Sequence, residues 1–430
     1  MKMIALLVIA SFATHAETAE PFAFANFSWL NGNSRQTEFP LETKAFTGQF
    51  IFDGNAVYDF ANPSDHSLVG STNTGRTNEL QIQQLGIGGD FHYKNVRGRL
   101  MTQFGLYSTM TPRNDSSPSR GQWNLSDAYR YVSEAYAGYH LDIWNGINLD
   151  AGIFMSYIGL CSYYNYENWI YQMSYVSANT PWFFNGIRVQ TFPSDKLKVE
   201  YWLINGWQSY GMFNQTPGLG IEFLWRPTGN WSLVSNSYFG YDTANTPNRV
   251  RLHTDNSLQH KYYDKPSSWL SKAALSLTLD AGCEEGGGVS CSNQYFLGLM
   301  AYHRLWFLKD LLALTLGGGA IKNPGRYLVV IPAINGATAS SSIPTNYFNT
   351  SAGDFWAWDT SATFDYLPSQ FLTLRLEYIH REASTPYFSG SGGITPPGGN
   401  NGNPNAIVTG WTPDLSKSEN RINFALLVRF

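Results

Sequence analysis

Cysteine, charge and long apolar runs are all scarce in this chain. Its 430 residues include only 3 Cys, too few for the disulfide framework of a small secreted scaffold. Charged residues make up 14%, well short of the roughly 25% usual in a soluble domain. The 28 Lys and Arg do not outnumber the 32 Asp and Glu, so there is no basic excess with which to hold nucleic acid. Beyond the N-terminus no apolar run reaches the ~20 residues of a membrane-spanning helix, and mean hydropathy is −0.25. What is plentiful is aromatic: 14 Trp, 26 Tyr and 27 Phe make up 16% of the chain, beside 40 Gly. That composition excludes disorder and points to a large, ordered β protein.

The N-terminus sets the compartment. Lys2 precedes an apolar stretch from Met3 to Phe12, and Thr14 and Ala16 are small residues at the two positions a signal peptidase reads. The pattern predicts a signal peptide over residues 1–16, cleaved after Ala16; the alternative is an uncleaved helix. Residues 17–44 follow as a periplasmic or lumenal extension, and residues 45–430 as a β-barrel.

From about Ala45 onward the chain alternates with a period of two. Leu372, Leu374, Leu376 and Tyr378 share one face, with Thr373, Arg375, Glu377 and Arg381 on the other. Leu197, Val199, Tyr201 and Leu203 oppose Lys198 and Glu200 in the same way. Side chains alternate across a strand, so each segment has an apolar and a polar wall, which no helix could give. Such segments fall at 45–60, 78–92, 96–108, 127–141, 147–159, 182–192, 196–207 and 217–226. They continue at 230–242, 249–263, 267–282, 293–306, 310–322, 353–367, 370–382 and 418–430.

Short polar turns such as Lys94-Asn95, Asn145-Gly146 and Lys309-Asp310 alternate with longer connections, most of them rich in Gly, Asn, Ser and Pro. The fold class predicted is therefore all-β: a single transmembrane antiparallel β-barrel of about sixteen strands, with short periplasmic turns and long extracellular loops. A soluble β-sandwich is the alternative. Trp356 and Trp358 near one end of an apolar face, with Phe364 and Tyr366 near the other, match the aromatic girdles at the two interfaces of a bilayer. The chain closes on Ile422, Phe424, Leu426, Val428 and Phe430, opposite Arg421, Asn423 and Arg429. A last strand with a terminal aromatic is like the assembly signal of bacterial outer-membrane barrels.

The stretches FDGNAVYDFANPSDHSLVG, RTNELQIQQLGIGGDFHY, GIFMSYIGL and FFNGIRVQTFPSDKLKVEYWLINGWQSYG resemble the OmpL-like β-barrel porins. The resemblance runs from about Phe46 to Phe430 and is carried by Asn62-Pro63-Ser64-Asp65, Gly159 and Asn205-Gly206-Trp207. It implies an outer-membrane porin and brings no catalytic residues with it.

Catalytic and cofactor motifs are missing. Gly286-Gly287-Gly288 reads as a loop tip and Gly317-Gly318-Gly319 as a strand end, since neither has the Lys-Ser/Thr of a phosphate loop. The histidines of the mature chain are scattered, and no nucleophile elbow, HExxH or CxxC occurs. No enzyme activity, cofactor or metal is expected.

The residues that matter for a pore are the polar ones on the predicted lumen faces: Arg97, Arg99, Arg188, Lys198, Arg226, Arg251, Arg375 and Arg381, with Glu79, Glu200, Glu222, Asp255 and Glu377. A cation on the lipid face at the bilayer midplane costs roughly 2–4 kcal/mol, which directs them inward. There they line a wet channel, pair across strands, or both. Both signs are present, so no selectivity follows.

Leu160 to Thr180, the third long loop, is full of Tyr, Asn and Trp. By position it resembles the loop that narrows general porins, with extra strands or an outer cap as alternatives. Thr385 to Lys417 carries SGSGGITPPGGNNGNPN and reads as mobile, exposed backbone. Cys283 and Cys291 flank a Gly-rich loop in an oxidising compartment and are candidates for a disulfide, which leaves Cys161 free. The function expected is passive diffusion of small hydrophilic solutes and ions across a bacterial outer membrane. The alternatives are a surface-interaction barrel with a loop-plugged lumen and an outer-membrane enzyme. Expected partners are outer-membrane lipid, the barrel-assembly machinery and small hydrophilic solutes, with homo-oligomerisation open and nucleic acid excluded.

Overall fold

The computed structural model describes residues 20–324, 355–399 and 408–430. The predicted signal peptide lies outside them. In the first half of the barrel the strands are β1 (Phe46–Asp59), β2 (Glu79–Tyr93), β3 (Val96–Thr102), β4 (Val132–Leu141), β5 (Ile147–Met155), β6 (Phe183–Ser194), β7 (Leu197–Ile204) and β8 (Gly218–Trp225). The second half has β9 (Trp231–Gly240), β10 (Val250–Asp264), β11 (Leu270–Glu285), β12 (Tyr295–Phe307), β13 (Leu312–Lys322), β14 (Trp356–Ser369) and β15 (Leu372–Ala383). A two-stranded ribbon, β16 (Phe388–Ser389) and β17 (Leu415–Ser416), precedes the last wall strand, β18 (Ser418–Arg429).

Strands β1 to β15 and β18 form one closed antiparallel barrel of 16 strands, with β1 paired to both β2 and β18. Closure follows from the alternation. An outward row of Leu, Phe and Tyr is stable only against lipid, and in lipid every backbone group must find its partner within the protein. The polarity is accordingly inverted relative to a soluble protein: Leu376 is 50% exposed, whereas its neighbour Glu377 is fully buried. Trp356, Phe364 and Tyr366 face outward at the two ends of β14.

The closing seam is held at the chain end. Phe50 and Phe430 exchange backbone hydrogen bonds (2.6 and 3.1 Å), and their rings stack at 5.2 Å. Replacing Phe430 by Ser is expected to lower the outer-membrane yield severalfold, measured as heat-modifiable protein in membrane fractions. An unchanged yield would remove the terminal aromatic from any role in assembly.

The short turns all lie at one end of the barrel and the long loops at the other. The long loops used below are L1 (60–78), L2 (103–131), L3 (156–182) and L8 (384–417). Four expectations need correction. The strands expected over 96–108 and 127–141 are shorter, because L2 turns helical at α1 (Tyr107–Met110) and α2 (Leu125–Tyr129). Asn124 starts α2 by accepting a hydrogen bond from the Ser126 N–H at 3.1 Å, a local alternative to the ladder. The strand expected over 147–159 ends at Met155, where the chain leaves the wall as L3.

Gly317-Gly318-Gly319 lies within β13 and not at a strand end. A Cβ on Gly319 would fall 2.3 Å from Ser174 Oγ, so the glycine makes room for L3 against the wall. Finally, L8 is not solvated throughout. Tyr387, Phe388 and Ile394 are buried, β16 pairs with β17, and the Ile394 and Thr395 N–H groups donate to Asp65 of L1 at 2.8 and 2.7 Å. Tyr387 and Phe388, just before the Gly-rich run, and Ile394 within it supply the apolar area. Residues 400–407 lie outside the described residues.

Candidate functional site

Two segments occupy the bore. L3 enters from the long-loop side, and its residues 168–182 are buried, including the short helix α3 (Tyr175–Ala178). It is fastened to the opposite wall mainly by polar groups. Arg375 donates to the carbonyls of Asn168 (2.6 Å) and Ile170 (2.7 Å) while pairing with Asp365 at 2.7 Å. Glu377 accepts the N–H groups of Tyr171 and Gln172, each at 2.7 Å, and Asp359 accepts Ser174 Oγ–H and the Tyr175 N–H. Arg304 donates to the Trp169 carbonyl, and Arg429 pairs with Glu167. Burial raises the pKa of Tyr164 and Tyr171, so both hydroxyls stay protonated and donate to Glu134 (2.6 Å) and Asp53 (2.8 Å).

The N-terminal residues cross the short-turn mouth. The Phe22 N–H donates to the Asp195 carbonyl, Trp29 Nε1–H to Gly229, and the Arg35 guanidinium to Ser369 and Leu372. These acceptors sit on the β6–β7, β8–β9 and β14–β15 turns. The segment then meets L3, where Trp169 Nε1–H donates to the Trp29 carbonyl at 3.1 Å. Phe27, Trp29, Leu30, Trp169, Val176 and Trp306 belong to one apolar cluster inside the barrel.

The residues singled out from the sequence fall in three places. Arg375, Glu377 and Arg381 lie under loops; Arg381 pairs with Glu419 and donates to the Val69 and Gly70 carbonyls of L1. Arg97, Arg99, Arg188, Lys198, Glu200 and Glu222 form a charged wall on β3 to β8. Arg97 and Arg188 share Asp150 (3.4 and 2.8 Å), and Arg99 lies between Asp90 and Glu134. Lys198 bridges Glu200 (2.7 Å) and Glu222 (3.0 Å), and Arg188 lies 4.6 Å from the centre of the Phe154 ring. The others are spread along the bore. Glu79 pairs with Arg76 at the outer rim, Arg251 pairs with Glu284 (3.0 Å), and Asp255 faces Asp280 across the β10–β11 ladder. Arg226 lies at the periplasmic mouth between two phenyl rings.

Asp53, Arg304, Asp359 and Asp365 were not singled out, although they hold L3. Asp359 and Asp365 share the polar face of β14, so the period-two signal was available. What their alternation does not show is that a loop lands on them.

Cys283 and Cys291 are bonded at the base of the loop between β11 and β12, with Cα atoms 5.0 Å apart. Cys161 in L3 is free, and burial pushes its thiol up to about 11. Alkylation at neutral pH is expected to miss Cys161 in the folded protein, reach it alone on unfolding, and label all three cysteines only after reduction. Mass spectrometry showing three labelled thiols without reductant would overturn the pairing.

A closed barrel with an apolar exterior, a charged interior and an infolded third loop belongs to the class of bacterial outer-membrane channels. The chain is a member of the family described as "Putative beta-barrel porin-2, OmpL-like", which it matches over residues 26–410. It is a porin of the bacterial outer membrane.

Among solved structures the fold is similar to the outer-membrane channel DcaP of Acinetobacter baumannii (12% identity, TM-score 0.51, covering 93% of this chain and 100% of that one). It is also similar to OprB of Pseudomonas putida in its high-pH structure (10% identity, TM-score 0.52, 97% and 100% covered). A third is OmpT of Vibrio cholerae in its trimer form (8% identity, TM-score 0.50, 90% and 99% covered). Among curated proteins none matches the sequence.

Proposed function

We propose that small hydrophilic solutes diffuse along the side of the bore bounded by β3 to β7. The observation that carries this reading is a contrast in exposure. The side chains of Arg97, Lys198 and Arg188 keep 29%, 17% and 12% of their surface open, whereas Arg375 and Arg381 keep 2% and 1%. L3 and L1 cover the wall that carries Arg375 and Arg381, while Arg97, Lys198 and Arg188 stay partly open above partners, Asp150 and Glu200, that are themselves buried. Arg and Lys alternate there with Asp90, Asp150 and Glu200, so ion selectivity should be weak. Passage needs no catalytic group and no cofactor. In this reading residues 1–16 are the cleaved export signal and residues 17–44 a lumenal extension. The trimer of the Vibrio cholerae protein is the precedent for a homo-oligomer.

The apolar cluster around Trp29 and Trp169 favours a second reading, a plugged barrel that serves as a scaffold for its outer loops. Planar-bilayer recording of the folded, heat-modifiable protein separates the two. Ion conduction without ligand, together with labelling of the R97C variant by a water-soluble thiol reagent, supports the diffusion path. A folded barrel with no conductance overturns it.

A further inference from the structure

Arg226, the first residue after β8, stands at the periplasmic mouth with its guanidinium carbon 4.9 Å from the centre of the Phe22 ring and 4.5 Å from that of Phe27. Its backbone is fixed by a hydrogen bond from its N–H to the Lys196 carbonyl at 2.9 Å. Among the described residues no carboxylate lies within ion-pair distance of its side chain, and its buried Nε has no hydrogen-bond partner. The nearby Glu222 shares Lys198 with Glu200, at 3.0 and 2.7 Å, and makes no ion pair with Arg226. Burial lowers the guanidinium pKa from its ordinary value, and the attraction of the more distant Glu222 offsets only part of that.

This arginine lines an open cleft of about 530 Å³ whose other walls are formed by the N-terminal segment. The other polar groups around it are supplied by Asn26, Ser28, Asn33, Ser34, Gln36 and Thr37. The volume falls in the range of small-molecule sites, roughly 300–1,000 Å³.

We propose that this cleft binds a small hydroxylated anion, which places its carboxylate or phosphate on Arg226. The two phenyl rings lie within cation–π distance of the guanidinium and limit its movement, which favours a fixed seat for a planar or tetrahedral anion. Such an anion supplies the contact counter-charge that Glu222, without an ion pair to Arg226, does not. The amide and hydroxyl groups around it suit a hydroxylated body better than an apolar one. The site is built by the mouth and the N-terminal segment alone, and it exists whether or not the barrel conducts.

Calorimetric titration of the folded full-length mature chain in detergent tests it, with gluconate and glucose 6-phosphate as probes and glucose as the neutral control. Binding of either anion but not of glucose is expected, and the anion that binds names the head group. The R226Q variant should bind about ten- to a hundredfold more weakly, the loss of charge-assisted hydrogen bonds. Its heat-modifiability should be unchanged, and R226K should recover part of the affinity. If neither anion binds the folded wild-type protein, or if R226Q binds equally well, the site is refuted.

Discussion

Removal of residues 160–180 should raise single-channel conductance severalfold while the barrel still closes. The ends of L3 leave adjacent strands in register, with Met155 opposite Phe183, so a short turn can replace the loop without disturbing the wall. The backbone ladder that holds the barrel does not pass through L3. Arg375, Glu377 and Asp359, which now bind loop groups, would then face water that enters the vacated space. A hydrated charge in a wide lumen carries little of the penalty of a buried, unpartnered one. Recording the deletion in planar bilayers beside the intact chain measures the effect. Equal conductance in a heat-modifiable deletion protein would mean that L3 does not set the bore, and removal of residues 20–44 would then show whether the N-terminal segment does.

Replacement of Arg375 by Leu should destabilise L3 by about 3–5 kcal/mol, the usual effect of breaking a buried charge network from one side. One guanidinium serves Asp365, with contacts at 2.7 and 3.0 Å, and the backbone of Asn168 and Ile170. Leu fills the space and satisfies none of these acceptors. Asp365 keeps Arg304 at 2.7 Å, but among the described residues the Asn168 and Ile170 carbonyls have no other guanidinium donor. The expected result is a barrel that assembles, with L3 open to proteases and bursts of higher conductance. R375K should fall between, since an ammonium cannot fork across a carboxylate and two carbonyls. Protease resistance and steady conductance equal to the parent would show that the anchor is not Arg375. The same contacts make Arg375 and Arg381 unsuited to tuning selectivity by charge reversal, because reversal would break their ties to L3 and L1 first.

Strand alternation made the wall readable. Leu372, Leu374 and Leu376 against Arg375 and Glu377 give the same pattern wherever the strand lies, because a period of two is a property of extended backbone. The turns at Lys94-Asn95 and Lys309-Asp310 marked the end of the barrel where the chain reverses at once. Boundaries were less legible where another local choice competed, as at Asn124, whose side chain caps a helical turn beside β4. The packing of L8 is not legible in its Gly-, Pro-, Asn- and Ser-rich composition, because Tyr387 and Phe388, just before the Gly-rich run, determine where it packs.

The amino-acid sequence by itself determined the all-β class, the strand rhythm, the apolar exterior and the set of charges facing inward, since each of these depends on neighbours within a few residues. Only the tertiary structure decided what those charges do. Gln172 meets Arg421 across 249 positions of chain, and Arg35 meets Leu372 across 337. Such contacts form because closing the barrel brings its walls, its third loop and its N-terminal segment together, and the part of the interior under the loops is closed to water. There a buried arginine must find carbonyls and carboxylates wherever the fold presents them, and no local pattern records which ones those are.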